Sequence, residues 1–455
     1  NKNKNVQLSK QLLLVRSHIL LNHDIPLFYS RSIDDSITIK EIFHYKVMST
    51  KFPNNVQEDD RGIGFSNGDS GPGDASYSKT EADILNLVNN EYITYNYVRT
   101  WGPDVNLLKA IKSNNLNVKV QLGIWWTGQM KNSYENWYDL QQLIKFANST
   151  DYGDIIIGLS VGNERFSNAT YSSGSNPDDL LDLIKHIRER TSQPITYNSL
   201  SESFTHGGVH GYNEYETFPY LTESYQKVYG LLDYMNFHTY SYWLTMSTAS
   251  SGLRSEALKN NFNTYKRFDY RQLNVDISGE NKWKRSKAMM DAMFDHYIYI
   301  NNMLQVQCTQ LKIYTPYLIG ETGWKTFSAV YRNDIESVLT SEIYQGYYFR
   351  KLREYMYTQH DKFMFYFNSY DEKWKQTAHE YDDDGWGLWT QDLKPKLALT
   401  HYDKFDENHP DFIQLMSGTL PDLNTNGVQT KYSTNVFTEK NIPYPYWTDP
   451  QPEWD

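Results

Sequence analysis

The strongest constraint on this chain is a rhythm: eight short apolar runs recur along it, mostly with a helix pattern between one run and the next. The runs are RGIGFSNG from Arg61, ITYNYVRTW (93–101), VKVQLGIWW (118–126), IIIGLSVGNE ending at Glu164, PITYN (194–198), DYMNFHTY (233–240), IYTPYLIGE (313–321) and KFMFYFNS (362–369). Continuous apolar runs of this length read as parallel strands covered on both faces. Between them, Ser78 and Glu81 read as a capping box for a helix that turns Ile84, Leu85 and Val88 inward. Pro103 is expected at the first position of a helix with Val105, Leu108 and Ile111 on one side. A further helix is expected near 133–148, and Asn176 with Pro177 opens one that buries Leu180, Leu183, Ile184 and Ile187. Long helices near 284–307 and 333–358 flank the seventh run. Eight such units predict an α/β chain of the (β/α)₈ TIM-barrel class over residues 56–400. A doubly wound open sheet rarely uses eight consecutive units.

Outside the rhythm the pattern is looser. Residues 1–55 are expected to form an N-terminal extension packed on the barrel, with Val6, Leu8, Leu12, Val15 and Ile19 on one helix. The polar, Tyr-rich stretches 200–232 and 241–282 read as insertions on the catalytic face, around the sixth strand. Beyond Lys396 the pattern fades, and 401–455 is expected as a tail that packs on the barrel or trails from it. Its end, PYPYWTDPQPEWD, has too many prolines for regular structure.

Forty-four basic against 55 acidic residues give a net charge of -11, which argues against nucleic acid as a partner. Mean hydropathy is -0.69, and no apolar stretch reaches the roughly 20 residues of a membrane span. Cys308 is the sole cysteine, which excludes an intrachain disulfide and a cysteine-based metal site. The chain begins at Asn1, which fits a removed leader or a trimmed chain, and two sequons begin at Asn148 and Asn168. The expectation is an extracellular or cell-envelope protein, and a monomer. Aromatic residues make up 15% of the chain; such rings stack on sugar faces, although many must simply fill the core.

A barrel carries its chemistry at the carboxyl ends of its strands. Glu164 closes the fourth run and Glu321 the seventh. Two carboxyl groups facing one another are what cleavage of a glycosidic bond requires: one protonates the leaving oxygen, and the other attacks the anomeric carbon or activates water. A separation of about 5 Å means retention and a wider gap inversion. Other signals carry less. GDSGPG (68–73) resembles a serine-protease motif but lacks that enzyme's disulfide-rich β-fold, and GIGFSNG lacks the full dinucleotide fingerprint. DDDGWG (382–387) has the makings of a calcium loop, with a solvated loop as the default. The chemistry expected here needs no cofactor and no metal.

VRTWGPD (98–104), VGNE (161–164), GETGW (320–324), FYFNSYDEKWK (365–375) and GLWTQDLKPK (387–396) together resemble the blocks of glycoside hydrolase family 17, in that family's order. That family comprises β-1,3-glucanases and related glucosyltransferases. The resemblance implies a retaining mechanism on β-glucan, with Glu164 as acid/base and Glu321 as nucleophile. It further implies Asn163 on the sugar 2-hydroxyl, Tyr240 against the nucleophile and His238 nearby, with Arg99 in the first block among the substrate contacts. Asp371, Glu372 and Lys375 match the eighth-strand block, which implies that they line a sugar subsite or support the groups that do, and Trp125, Trp126, Trp324, Trp374 and Trp386 are candidate sugar platforms, with core packing as the alternative for each. Lys325, Asn368 and Trp101 depart from the family's usual proline, glutamate and tyrosine, and are expected to shift subsites. The same two glutamates would also serve transfer to a sugar acceptor. A non-catalytic carbohydrate-binding protein is the alternative from another class.

Overall fold

Eight parallel strands pair in chain order and the eighth closes on the first: β1 (Gly62–Gly64), β2 (Tyr97–Arg99), β3 (Lys119–Ile124), β4 (Ile156–Asn163), β5 (Ile195–Leu200), β6 (Met235–His238), β7 (Tyr317–Thr322) and β8 (Met364–Tyr366). Closure is made by β1 against β8, with Gly62 beside Phe365. This is the expected (β/α)₈ barrel, and the open-sheet alternative is excluded. The structure is a computed structural model that describes residues 52–53, 55–57, 59–68, 75–126, 134–164, 177–201, 227–240, parts of 287–308, 315–326, 341–358, 363–375 and 385–420. The chain divides into two units, Asn1–Thr50 and Lys51–Asp455. The first lies outside the described residues, as do most of both expected insertions, Asn176, Asp382–Asp384 and residues 421–455. No helix among the described residues is long and apolar enough to cross a membrane.

The helices follow their apolar spacing, with local corrections at their starts. α1 (Tyr77–Asn89) is capped by Ser76, whose hydroxyl accepts from the Lys79 amide at 3.3 Å. Ser78 is therefore inside the helix, and Glu81 is taken by Tyr77 and Asn114 instead of closing a capping box. Its buried face is Thr80, Asp83, Ile84 and Leu87, so Leu85 and Val88 stand at the margin. α2 (Val105–Ser113) is capped by Asp104 at 3.0 Å from the Leu107 amide, leaving Pro103 outside the helix. The carboxylate satisfies an end N–H that would otherwise be orphaned. α3 spans Tyr134–Ala147. α4 (Pro177–Arg188) buries the four expected residues and Leu181 besides. Asp178 and Asp179 open it, and Lys185, His186 and Arg188 close it, as the helix dipole favours. Helical residues recur between Lys287 and Cys308, and α5 (Glu342–Thr358) follows β7.

The pattern does not end at Lys396. α6 (Leu397–Thr400), a 3₁₀ turn (Tyr402–Phe405) and α7 (Phe412–Ser417) bury Leu397, Leu399, Phe405, Phe412, Leu415 and Met416. The Phe405 ring lies where a Cβ on Gly346 would come within 2.1 Å of it, so α5 has no side chain there. Residues 397–420 are thus packed structure.

Inside the barrel the side chains form layers. The amino-terminal end is filled by Phe52, Tyr97, Tyr234, Leu318, Phe363 and Phe365, with Phe52 edge-on to Tyr234 at 5.2 Å. Phe52, in the stretch expected to be extension, is part of this plug. A polar layer follows, in which Tyr234 donates to Gln121 at 2.8 Å and Asn236 donates to Asn198 at 2.6 Å. Asn198 in turn donates to the Gly162 carbonyl at 2.6 Å. These bonds tie β3, β4, β5 and β6 to one another beneath the carboxyl ends of the strands.

Candidate active site

Both glutamates owe their direction to a glycine. Along β4, Val161 pairs with Tyr197 and Asn163 with Asn198, so Gly162 is one residue too many. Along β7, Phe237 of β6 pairs with Ile319 and His238 with Glu321, so Gly320 is the extra residue there. An extra residue bends a strand and re-aims the side chains that follow. Gly162 has φ +74°, and Glu164 itself is left-handed at φ +53°. That conformation costs a non-glycine residue about 1–3 kcal/mol and is characteristic of functional sites. β7 runs through Glu321 to Thr322, so Glu321 lies within the strand and one residue short of its end.

Glu321 is 6% exposed and its two oxygens are engaged differently. Oε1 accepts from Arg99 at 2.7 Å and from the Trp101 indole N–H at 2.8 Å. Oε2 accepts from the Tyr240 hydroxyl at 2.7 Å and lies 3.4 Å from His238 Nδ1. Burial pushes this carboxyl up, but His238, Arg99 and the Tyr240 and Trp101 hydrogen bonds outweigh it and hold Glu321 below the ordinary value. Arg99 is fully buried and also donates to the Gly320 carbonyl at 2.7 Å and to Asn163 Oδ1 at 2.9 Å. One guanidinium thereby ties the end of β2 to the ends of β4 and β7.

Glu164 is the more open of the pair, with 29% of its side chain exposed, and its Oε1 lies 2.6 Å from His238 Nδ1. Ligand atoms of Glu164, His238 and Glu321 all lie within 4.8 Å of one another. Such a trio could hold a metal ion, but both Glu321 oxygens already accept donors, and a cation there would meet the Arg99 guanidinium. The set is better suited to moving protons and glycosyl groups.

Glu164, Glu321, Asn163, Tyr240, His238 and Arg99 are therefore gathered at one point. Trp101, noted in the sequence only as a departure, is there too. Its position two residues beyond Arg99, at the carboxyl end of β2, was the available signal. Phe367 was also missed; it stands edge-on to Trp101 at 5.5 Å and to Tyr240 at 6.0 Å.

Other expectations are corrected by burial. Trp126 and Trp324 are 1% and 0% exposed and belong to the core. Trp386, 2% exposed, stands edge-on behind Tyr240 at 5.3 Å and backs the site without an open face. Trp125 is 49% exposed at the end of β3 and does have a face to offer. Asp371 is a structural anchor: it takes Lys396 Nζ at 2.6 Å and the Gly387 amide at 3.0 Å, and burial still pushes its carboxyl up. Glu372 is buried and paired with Lys375 at 2.6 Å, and the Lys375 ammonium lies 5.0 Å over the Phe367 ring. Lys325 and Asn368 are fully buried, with Asn368 donating to Ser66 at 2.7 Å, and Trp101 is the departure that donates to Glu321.

Compared by sequence, the chain matches no protein-family model and no curated protein. By structure, it is similar to an endo-laminarinase from Formosa Hel1_33_131, at 20% identity over 74% of this chain and 84% of that one, with a TM-score of 0.56. A glycoside hydrolase family 17 β-1,3-glucanosyltransferase from Rhizomucor miehei matches at 16% identity over 76% of this chain and 98% of that one, with a TM-score of 0.47. The likeness to the laminarinase is one of fold: the same barrel, carrying a glutamate pair that the chain's own geometry defines.

Proposed function

We propose that the chain is a retaining glycoside hydrolase that cleaves β-1,3-glucan or a related β-glucan through a covalent glycosyl-enzyme. The observation that carries this reading is the approach of Glu164 and Glu321 to within 4.8 Å at the barrel mouth, one half-open and the other buried among donors. Retaining pairs stand about 5–5.5 Å apart, whereas inverting pairs leave room for a water at about 6.5–9.5 Å. Glu321, kept ionised by its surroundings, attacks the anomeric carbon as the bond to the leaving oxygen breaks. Glu164 gives that oxygen its proton. Water then attacks the same carbon and passes a proton to Glu164, and the bonding pair returns to Glu321. Asn163, held by Arg99, is placed for the sugar 2-hydroxyl, a contact that strengthens in the transition state. The resemblance of VRTWGPD, VGNE and GETGW to family 17 blocks, and the likeness in fold to an endo-laminarinase, support β-1,3-glucan as the substrate. Among the described residues, Trp125 at the end of β3 offers an exposed ring on which a sugar could stack.

The test is hydrolysis of laminari-oligosaccharides by wild type, E164A and E321A, with the first-formed anomer read by NMR. Wild type should release the β-anomer first, E321A should be inactive, and E164A should be slowed about 10²–10⁴-fold, less on activated aryl glycosides. Products longer than the substrate would identify transfer to sugar. An E321A rate equal to wild type, or the α-anomer first, overturns the reading.

A further inference from the structure

We propose that Trp101 is a positioning residue for the nucleophile: its indole N–H, together with Arg99, occupies Oε1 of Glu321 and so makes Oε2 the oxygen that bonds to the sugar. The inference rests on the retaining-glycosidase reading. A carboxylate oxygen has about two lone-pair directions, and both on Oε1 are filled, by Arg99 at 2.7 Å and by Trp101 at 2.8 Å. Neither donor can accept a hydrogen bond, so each meets Oε1 only as a donor. Oε2 has one full partner, the Tyr240 hydroxyl, and faces His238, whose Nδ1 is 2.6 Å from Glu164. The scissile bond must lie between the two glutamates, and Oε2 is on that side.

The indole is clamped. Trp101 is 8% exposed, with the Arg99 guanidinium 5.1 Å over its ring and Phe367 edge-on. A Cβ on Gly64 would stand 2.6 Å from its ring, and one on Gly123 would stand 2.2 Å from the Thr100 carbonyl. Those two glycines let β1 and β3 approach close enough to hold it. Unlike a phenol, whose O–H rotates and whose oxygen also accepts, an indole only donates, in a direction fixed by its ring, so its contact with Glu321 is constant through the cycle.

In the first half-reaction an Oε2 lone pair forms the bond to the anomeric carbon, and the leaving oxygen departs with the Glu164 proton. In the second, water forms its bond to that carbon, Glu164 takes the water proton, and the C–Oε2 electron pair returns to Glu321. Donors on Oε1 stabilise the carboxylate that is restored. Their loss makes Glu321 a more basic and poorer leaving group, and the second half should suffer most.

The experiment compares wild type, W101F and W101H with 2,4-dinitrophenyl β-laminaribioside. Its 2-deoxy-2-fluoro analogue labels the nucleophile, and peptide mass spectrometry locates the label. W101F keeps a ring but no donor, and should slow release of the glycosyl-enzyme about 10–100-fold, the effect of one hydrogen bond to a charged group. It should show a product burst and move the acid limb of kcat/KM to higher pH. W101H fills the space less well but returns an N–H at a similar reach, and should recover most of the rate. A packing role predicts the opposite order, W101F at least as active as W101H, with the acid limb unmoved. That result, in proteins with wild-type circular dichroism, overturns the proposal while label on wild-type Glu321 keeps the glycosidase reading. Absence of label from wild-type Glu321 ends both.

Discussion

Alanine at Gly320 would put a methyl carbon 1.7 Å from Asn236 Oδ1 and 2.3 Å from its Cγ. Asn236 cannot swing away freely: it is fully buried, and its Nδ2 donates to Asn198 Oδ1 at 2.6 Å. Asn198 holds the Gly162 carbonyl, so the bulges that aim Glu321 and Glu164 are joined through these two amides. Overpacking costs about 1–3 kcal/mol. Breaking the Asn236–Asn198 bond and stranding its buried partner costs about 1–3 kcal/mol more. For a unit of about 400 residues, at about 2.1 cal/mol/K of unfolding entropy each, G320A should melt about 2–7 °C below wild type. Glu321 displaced by about 1 Å should lower kcat on laminari-oligosaccharides about 10²-fold. N236A makes room for the new methyl, so in calorimetry the double variant should be more stable than the two single losses predict, by about 1–3 kcal/mol. G320A with wild-type melting and kcat, or strictly additive losses in the double variant, would refute the reasoning.

Acidification gives a second check. Because Glu321 is held below its ordinary value of 4.5 in the folded chain, its ionised form contributes stability that is fully present above that value and fades as pH falls through the lower folded one. The melting gap between wild type and E321Q should therefore be widest near neutrality and close below about pH 4.5; a gap that widens on acidification contradicts the site electrostatics. The Asp371–Lys396 pair supplies a third. K396M leaves a carboxyl buried without its cation, at about 3–5 kcal/mol, whereas D371N/K396M should regain part of that loss. Folded double variant should keep wild-type kcat, and a large drop at unchanged melting would return Asp371 to the reacting centre.

Much of the site was legible in the chain because a barrel converts strand order into position. Apolar runs ending in Gly-Asn-Glu and Gly-Glu sit where such runs meet the barrel mouth, so Glu164 and Glu321 could be named without coordinates. The tryptophans could not be sorted that way. Trp125 and Trp126 are neighbours in sequence and both lie just beyond the end of β3, yet one is exposed and the other packed in the core, which only the folded chain decides. Asp371 is expected from the sequence either to meet the sugar or to support the groups that do, and its burial against Lys396 shows an anchor that the sequence could not single out. The helices after Lys396 are four to six residues long, too short to display a period, and form because their apolar residues meet α5 and its surroundings.

From its sequence alone, then, this protein was committed to eight parallel strands, a closed barrel and two glutamates at its carboxyl end, since period and strand-end position are local properties. Which oxygen of Glu321 is held, by Arg99 and Trp101, and how near Glu164 comes, were decided only on folding. The Arg99–Glu321 bond joins residues 222 positions apart, and one extra glycine in each of two strands turns the glutamates toward each other. Such contacts arise from strand register around the barrel, which no stretch of the chain carries by itself.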